Sequence, residues 1–236
     1  MRKNIFMIMR SIHISFVSFV FFGVCFFSFS ANAFGLAFPG AEGFGKDTEG
    51  GRGGDICAVT NLNDGGEGSF RHCAEMNGKR IIIFKTGGVI RIEGNNNIIT
   101  LEPDVTVAGQ TAPGDGIVFT GGKVRVKSNS IVRGLRVRSG NPPGKGDVWD
   151  VFQIGDTHDE FVGDVIVDHS SFAWGADETV QVWRGYQEGL GASYPDFAHA
   201  ANISFQWNII SEGLNDPAFH SKNVGHGRGM IMSGYI

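Results

Sequence analysis

From Arg80 to Arg138 the chain alternates short apolar runs with breaks rich in glycine and asparagine. The runs are Arg80 to Phe84, Val89 to Ile92, Ile98 to Leu101, Val105 to Ala108, Ile117 to Phe119, Val124 to Lys127 and Ile131 to Arg138. All are rich in Val and Ile, and each has strand length. Between them lie Gly87-Gly88, Gly94-Asn95-Asn96-Asn97, Pro113-Gly114-Asp115-Gly116 and Gly121-Gly122. Nowhere between these runs is there helical periodicity long enough for a crossover helix, which argues against a doubly wound α/β fold.

An internal repeat separates the all-β alternatives. Ile131 to Val137, Ile166 to Phe172 and Ser204 to Ile210 superpose without gaps, and they start 35 and 38 residues apart. In each, an apolar residue (Val132, Val167, Phe205) is followed five positions later by another (Val137, Phe172, Ile210). A period of this size with loops of variable length describes a solenoid, in which each coil buries its inward face only by stacking on the next. An immunoglobulin-like sandwich would show two-residue Asn-Gly or Asp-Gly hairpin turns more regularly. The fold predicted is therefore all-β, a right-handed single-stranded parallel β-helix.

Within the repeat, the stretch from Asp164 to Trp183 carries chemistry. Two apolar-rich runs flank a turn holding Gly175 and the adjacent carboxylates Asp177 and Glu178. Two neighbouring carboxylates that remain ionised in a partly buried place call for a cation or an arginine beside them, whereas in a solvated turn they need neither.

The N-terminal 33 residues have the layout of a secretory signal: basic Arg2, Lys3 and Arg10, an apolar run from Ile14 to Phe29, and the small-x-small site Ala31-Asn32-Ala33. The run is short and interrupted by serines and a glycine, which disfavours a membrane anchor. Cleavage would take three of the 20 basic residues and none of the 24 acidic ones, leaving a net charge of −7. That disfavours nucleic acid as a partner; an acidic polysaccharide would need local basic groups or a bridging metal. Thirty-six glycines against seven prolines indicate tight turns rather than disorder. Cys57 and Cys73 either pair across a short loop in an oxidising compartment or remain buried thiols.

Residues 34–79 read as an N-terminal cap and first strand, with a helical turn or two over Ser69 to Met76 capped by Ser69. Residues 80–236 read as the coils.

On Phe38 to Gly45, Gly51 to Gly54, Val59 to Asp64, Gly109 to Ile117, Val167-Asp168-His169 and Trp174 to Thr179, the chain resembles the secreted pectate lyases of the first polysaccharide lyase family. The likeness runs from about Phe38 onward. It implies a parallel β-helix that cleaves polygalacturonate by calcium-assisted β-elimination, with an arginine as the base. Calcium would also let an acidic groove hold an acidic polymer.

By that resemblance Asp150 and Asp177 match two calcium aspartates. Gln181 stands where a third acid is usual, keeping an oxygen ligand and losing a charge. Asp168 and His169 match a landmark whose side chains are expected to hydrogen-bond within the coil stack. Arg184 and Arg228 are candidates for binding substrate carboxylates, and with His226 they are the weaker candidates for a base. Trp174, Trp183 and Trp207 are candidates for stacking sugars or for packing. For Arg133, Arg136 and Arg138 a solvated basic face is the default.

The family's Arg-x-Pro-x-x-Arg segment occurs nowhere in the chain, so its base is expected beyond Ile236 and these residues alone are expected to be inactive. The alternative is a non-catalytic β-helix that binds pectin-like acidic glycans. Either way the expectation is a secreted monomer.

Overall fold

A computed structural model describes residues 35–93, 97–140, 150–155, 161–183, 200–214 and 227–232. Strand β1 (Asp55–Val59) and the short helix α1 (Phe70–Ala74) open the fold. Five coils follow, each of three strands: β2 (Arg80–Phe84), β3 (Gly88–Arg91) and β4 (Ile98–Leu101); β5 (Val105–Ala108), β6 (Ile117–Thr120) and β7 (Lys123–Val126); β8 (Ser130–Arg133), β9 (Arg136–Arg138) and β10 (Phe152–Ile154); β11 (Val162–Asp168), β12 (Ser171–Ala173) and β13 (Glu178–Val182); β14 (Ala200–Gln206), β15 (Ile209–Ser211) and β16 (Arg228–Met232).

Equivalent strands of successive coils stack into three sheets, β1-β2-β5-β8-β11-β14, β3-β6-β9-β12-β15 and β4-β7-β10-β13-β16. The strand pairings are parallel throughout. Parallel crossovers wind right-handed, so the chain forms a right-handed parallel β-helix, as its repeat predicts.

The ladder register reproduces the sequence repeat. Val132, Val167 and Phe205 are direct partners in the first sheet, and Val137, Phe172 and Ile210 are direct partners in the second. The stacks continue toward the N-terminus through Val107 and Ile82 and through Phe119 and Ile90. In the third sheet Ile99, Val124, Phe152 and Val180 form another file. These side chains make one continuous core, and Phe152 and Phe172 meet with ring centroids 4.5 Å apart.

One predicted strand divides. The run from Ile131 to Arg138 is broken at Gly134, whose φ of +68° turns the chain from the first sheet to the second. The stretch from Asp164 to Trp183 likewise makes three strands, not two, one in each sheet.

The N-terminal segment fits its glycines to this frame. Residues 37–45 lie against the outer face of the first sheet, where Glu42 N donates to Gln206 Oε1 at 2.8 Å and Gly45 N donates to Ser204 Oγ at 2.8 Å. A Cβ on Gly45 would stand 2.4 Å from the Val165 carbonyl, so no larger residue permits that approach. Helix α1 packs on the first coils: Phe70 lies 4.6 Å from Phe119 and 5.7 Å from Phe84, centroid to centroid. Ser69 caps it, accepting from His72 N as its sequence predicts.

Arg80 was legible only as the first residue of a strand. In the structure its buried guanidinium donates to the carbonyls of Cys73, Ala74, Gly78, Glu102 and Pro103, clasping the end of α1 to the coil. Burial lowers its pKa from the ordinary arginine value, with Glu102 and Asp104 opposing. Cys57 and Cys73 are paired, joining β1 to α1 across a 16-residue separation. Closing a loop of that length contributes about 3 kcal/mol.

Candidate functional site

The third sheet brings three carboxylates to one place. Asp150 immediately precedes Val151 and β10, and the hydrogen bond from Val151 N to the Glu178 carbonyl, 3.1 Å, sets Asp150 beside Glu178 at the start of β13. Asp177 is the residue before β13. One carboxylate oxygen from each of Asp150, Asp177 and Glu178 lies within 4.8 Å of the others. All three residues are buried, at 4%, 8% and 5% exposure.

Among the described residues, Lys123 and Arg228 face this cluster. Lys123, at the start of β7, holds its Nζ 3.3 Å from Asp150 Oδ2 and donates to Gln153 Oε1 at 2.6 Å. Arg228, the ladder partner of Glu178 on β16, donates from Nη1 to Glu178 Oε1 at 2.9 Å and lies 3.8 Å from Asp177 Oδ1. Among the described residues, three carboxylates thus share this place with the Lys123 and Arg228 cations.

The crowding of carboxylates is visible at Asp150. Asp150 Oδ1 is buried without a hydrogen-bond partner. Burial pushes the Asp150 carboxyl up to about 6; Lys123 opposes the rise and the negative charge of Glu178 adds to it. An orphaned carboxylate oxygen in an all-oxygen cluster suits a hard cation such as calcium, which takes six to eight oxygen ligands. The residues present therefore fit a calcium ion.

Sequence reasoning named Asp150, Asp177 and Arg228, and the structure brings these three together. Gln181 stands further along β13 with Gln153 as its ladder partner, and Gln153 is the residue that holds Lys123. Arg184 and His226 lie outside the described residues, as does the predicted signal sequence. The contribution of Lys123 was not assigned from sequence, whereas Glu178 was read with Asp177 as a carboxylate pair calling for a cation or an arginine. Lys123 meets Asp150 only through the register of β7 with β10.

The Asp-His landmark has a different character. Asp168, fully buried, accepts from Arg133 Nε at 2.7 Å, His169 Nδ1 at 2.8 Å and Gln206 Nε2 at 2.9 Å. Burial alone would raise its pKa, but the hydrogen bonds from Arg133, His169 and Gln206 outweigh it and hold the carboxyl below the usual aspartate value. Arg133 is also stacked 3.9 Å from the Phe38 ring centroid, so it ties the N-terminal segment to the coils instead of presenting a solvated basic face. Asp168 with its donors joins three coils and is a structural clamp.

Of the tryptophans, Trp174 and Trp207 are exposed and both take positive φ, +66° and +55°. Trp174 donates its indole N–H to Glu212 Oε2 at 2.8 Å. Trp183, in contrast, has its indole nitrogen buried. Among the described residues no helix is long and apolar enough to cross a membrane.

No family model matches the chain. A protein named probable pectate lyase C from Emericella nidulans is 41% identical over 181 residues, covering 76% of this chain and 37% of that protein. Proteins of the same name from Aspergillus terreus and Aspergillus flavus are 40% and 39% identical over the same length. The chain thus spans 37% of the length of these curated relatives. Among solved structures, that of jun a 1, the major allergen from cedar pollen, superposes with a TM-score of 0.53 at 19% identity, covering 69% of this chain and 46% of the allergen. At that identity the superposition establishes the β-helix fold alone.

Proposed function

We infer that the chain is a pectate lyase, the activity named for its relatives, and that the Asp150, Asp177 and Glu178 cluster is its calcium site. The single observation that carries the reading is the orphaned Asp150 oxygen inside a buried carboxylate cluster, on a β-helix about 40% identical to proteins of that name. Gln181 is assigned as a further oxygen donor by its resemblance to a ligand position. The substrate class is polygalacturonate or a pectin-like acidic polymer.

Asp150, Asp177 and Glu178 would hold a calcium ion whose positive charge would make the proton beside a substrate carboxylate more acidic. The protein's own residues prepare for that. Burial of the three carboxylates keeps competing water away and strengthens their hold on a cation. The Arg228 side chain, half-exposed at 52%, can turn one edge of its guanidinium to a uronate carboxylate while the other stays on Glu178. Arg184 is the second candidate for binding a uronate carboxylate. The base that removes the proton is not assigned among the described residues. The Cys57 to Cys73 disulfide supports folding in an oxidising compartment, in line with a cleaved signal sequence and secretion.

Incubation of the full-length protein with polygalacturonate, with calcium and with chelator, tests the reading. Calcium-dependent unsaturated uronate, seen by its ultraviolet absorbance and lost in Asp150→Asn, is the expected result. Binding of the polymer without product would instead identify a non-catalytic glycan-binding β-helix.

A further inference from the structure

We propose that Lys123 sets the affinity of the cation site, acting as an internal competitor for the Asp150 oxygens. The inference rests on reading the cluster as a calcium site and goes beyond it by assigning a role to a side chain outside the ligand set.

The position of Lys123 is fixed by the ladder. It starts β7, paired with Ile98 of the coil before, while its neighbour Val124 pairs with Phe152 of the coil after. That register points its side chain along the edge of the third sheet toward Asp150. The ammonium group is nearly buried, with its side chain 11% exposed, so its charge is poorly screened. A buried ammonium needs partners, and Lys123 has them in Asp150 Oδ2 at 3.3 Å and Gln153 Oε1 at 2.6 Å.

The two contacts are unequal. The short one is to a neutral amide oxygen and the long one is to the carboxylate. Gln153 is itself anchored, its Nε2 donating to the Gly155 carbonyl at 2.6 Å, so its oxygen is a fixed resting place for the ammonium. Lys123 therefore neutralises part of the cluster in the metal-free protein without occupying it. When Asp150 turns toward a cation, the lysine keeps its bond to Gln153 and remains as a positive charge beside the ion.

The consequence is a penalty on cation binding. A unit charge about 5 Å from a divalent ion costs roughly a factor of ten in affinity even with water-like screening, and more in a dry site. Removing the charge should tighten calcium binding while loosening the metal-free cluster, because the three carboxylates then face each other with one positive charge fewer. A purely structural lysine would not produce those opposite effects.

Calcium titration calorimetry on the full-length protein compares wild type with Lys123→Met, Lys123→Gln and Lys123→Arg, alongside Tm measured in chelator and in excess calcium. Lys123→Gln retains a polar group opposite Gln153 and serves where Lys123→Met does not fold. The neutral variants are expected to bind calcium about tenfold tighter or more, and Lys123→Arg to stay within about threefold of wild type. Their Tm is expected to fall in chelator and to gain more on adding calcium than wild type does. Tight binding by a neutral variant where wild type shows none also supports the proposal. Unchanged or weaker calcium binding in the folded neutral variants, with wild type binding normally, overturns it and leaves the calcium site standing. No calcium binding by any folded protein, wild type included, removes the calcium reading and the proposal with it.

Discussion

Asp168 and Asp150 are buried aspartates on adjacent coils, and they solve the problem of a buried charge in opposite ways. Asp168 is surrounded by donors from three coils, Arg133, His169 and Gln206, and its ionised form is held firmly. Asp150 has a second carboxylate beside it, a lysine whose shorter bond is to Gln153, and one oxygen left without a partner. The first arrangement is complete as it stands. The second becomes complete only when something positive arrives, and that contrast separates the clamp from the site more clearly than exposure does.

The largest effect expected from breaking this contrast is at Asp168. Asp168→Ala leaves Arg133 and Gln206 facing a gap and removes the link between the coils. Breaking a buried pair costs about 3 to 5 kcal/mol, and since Arg133 is partly solvated the loss should lie near 3 kcal/mol. Urea unfolding of wild type and variant measures it. A loss under about 1 kcal/mol would show that Asp168 is not the clamp described here.

The repeat made much of this frame readable in advance. Stacked coils convert a fixed offset along the chain into contact in space, so the files through Val167 and Phe172 could be written down from sequence. The break at Gly134 could not, because apolar residues continue on both sides of it and periodicity does not report which sheet a strand joins. Arg228 escaped placement for a related reason. It pairs with Glu178 across 50 residues, longer than the 35 and 38 of the clearer repeats, so no offset pointed to it. Lys123 sits in Lys-Val-Arg-Val, an ordinary alternation, and only the register with β10 gives it a carboxylate.

The two aspartates should also give stability slopes of opposite sign. For Asp150 the folded pKa, about 6, is above the unfolded value of 3.8, so the folded protein holds the proton more tightly. Its contribution is present below pH 4 and is lost as pH rises toward 6, a fall of about 2 to 3 kcal/mol in the metal-free protein. For Asp168 the folded pKa is depressed, so its contribution is present above the unfolded pKa and is lost as pH falls below it. Unfolding in chelator across this range should show the Asp150 slope vanish in Asp150→Asn and the low-pH loss diminish in Asp168→Asn. A slope unchanged in Asp150→Asn would mean that another group carries it.

Asp150→Asn tests the incompleteness directly. Replacing a carboxylate crowded by Glu178 with a neutral amide should leave metal-free stability at neutral pH unchanged or raise it by about 1 kcal/mol, the reverse of the Asp168 result. The same variant should lose the calcium-dependent rise in Tm that wild type shows. A metal-free destabilisation comparable to Asp168→Ala would place Asp150 with the structural clamps.

His169 gives the smallest and most discriminating effect. Its ring is largely exposed, yet Nδ1 contacts Asp168 Oδ1 at 2.8 Å, and against an ionised carboxylate that nitrogen must carry the hydrogen. Arg133 and Gln206 remain on Asp168 when the ring is removed, so His169→Ala deletes one donor of three without leaving the carboxylate bare. The backbone at His169 has φ of +47°, which histidine adopts more readily than alanine, so the loss measured is an upper bound on the side-chain contact. A loss of about 1 kcal/mol or less is expected by urea unfolding, with calcium affinity unchanged. A larger loss would mean that the three donors act as a unit, and a change in calcium affinity would mean that the clamp and the site are coupled through the coil that carries Asp168, Asp177 and Glu178.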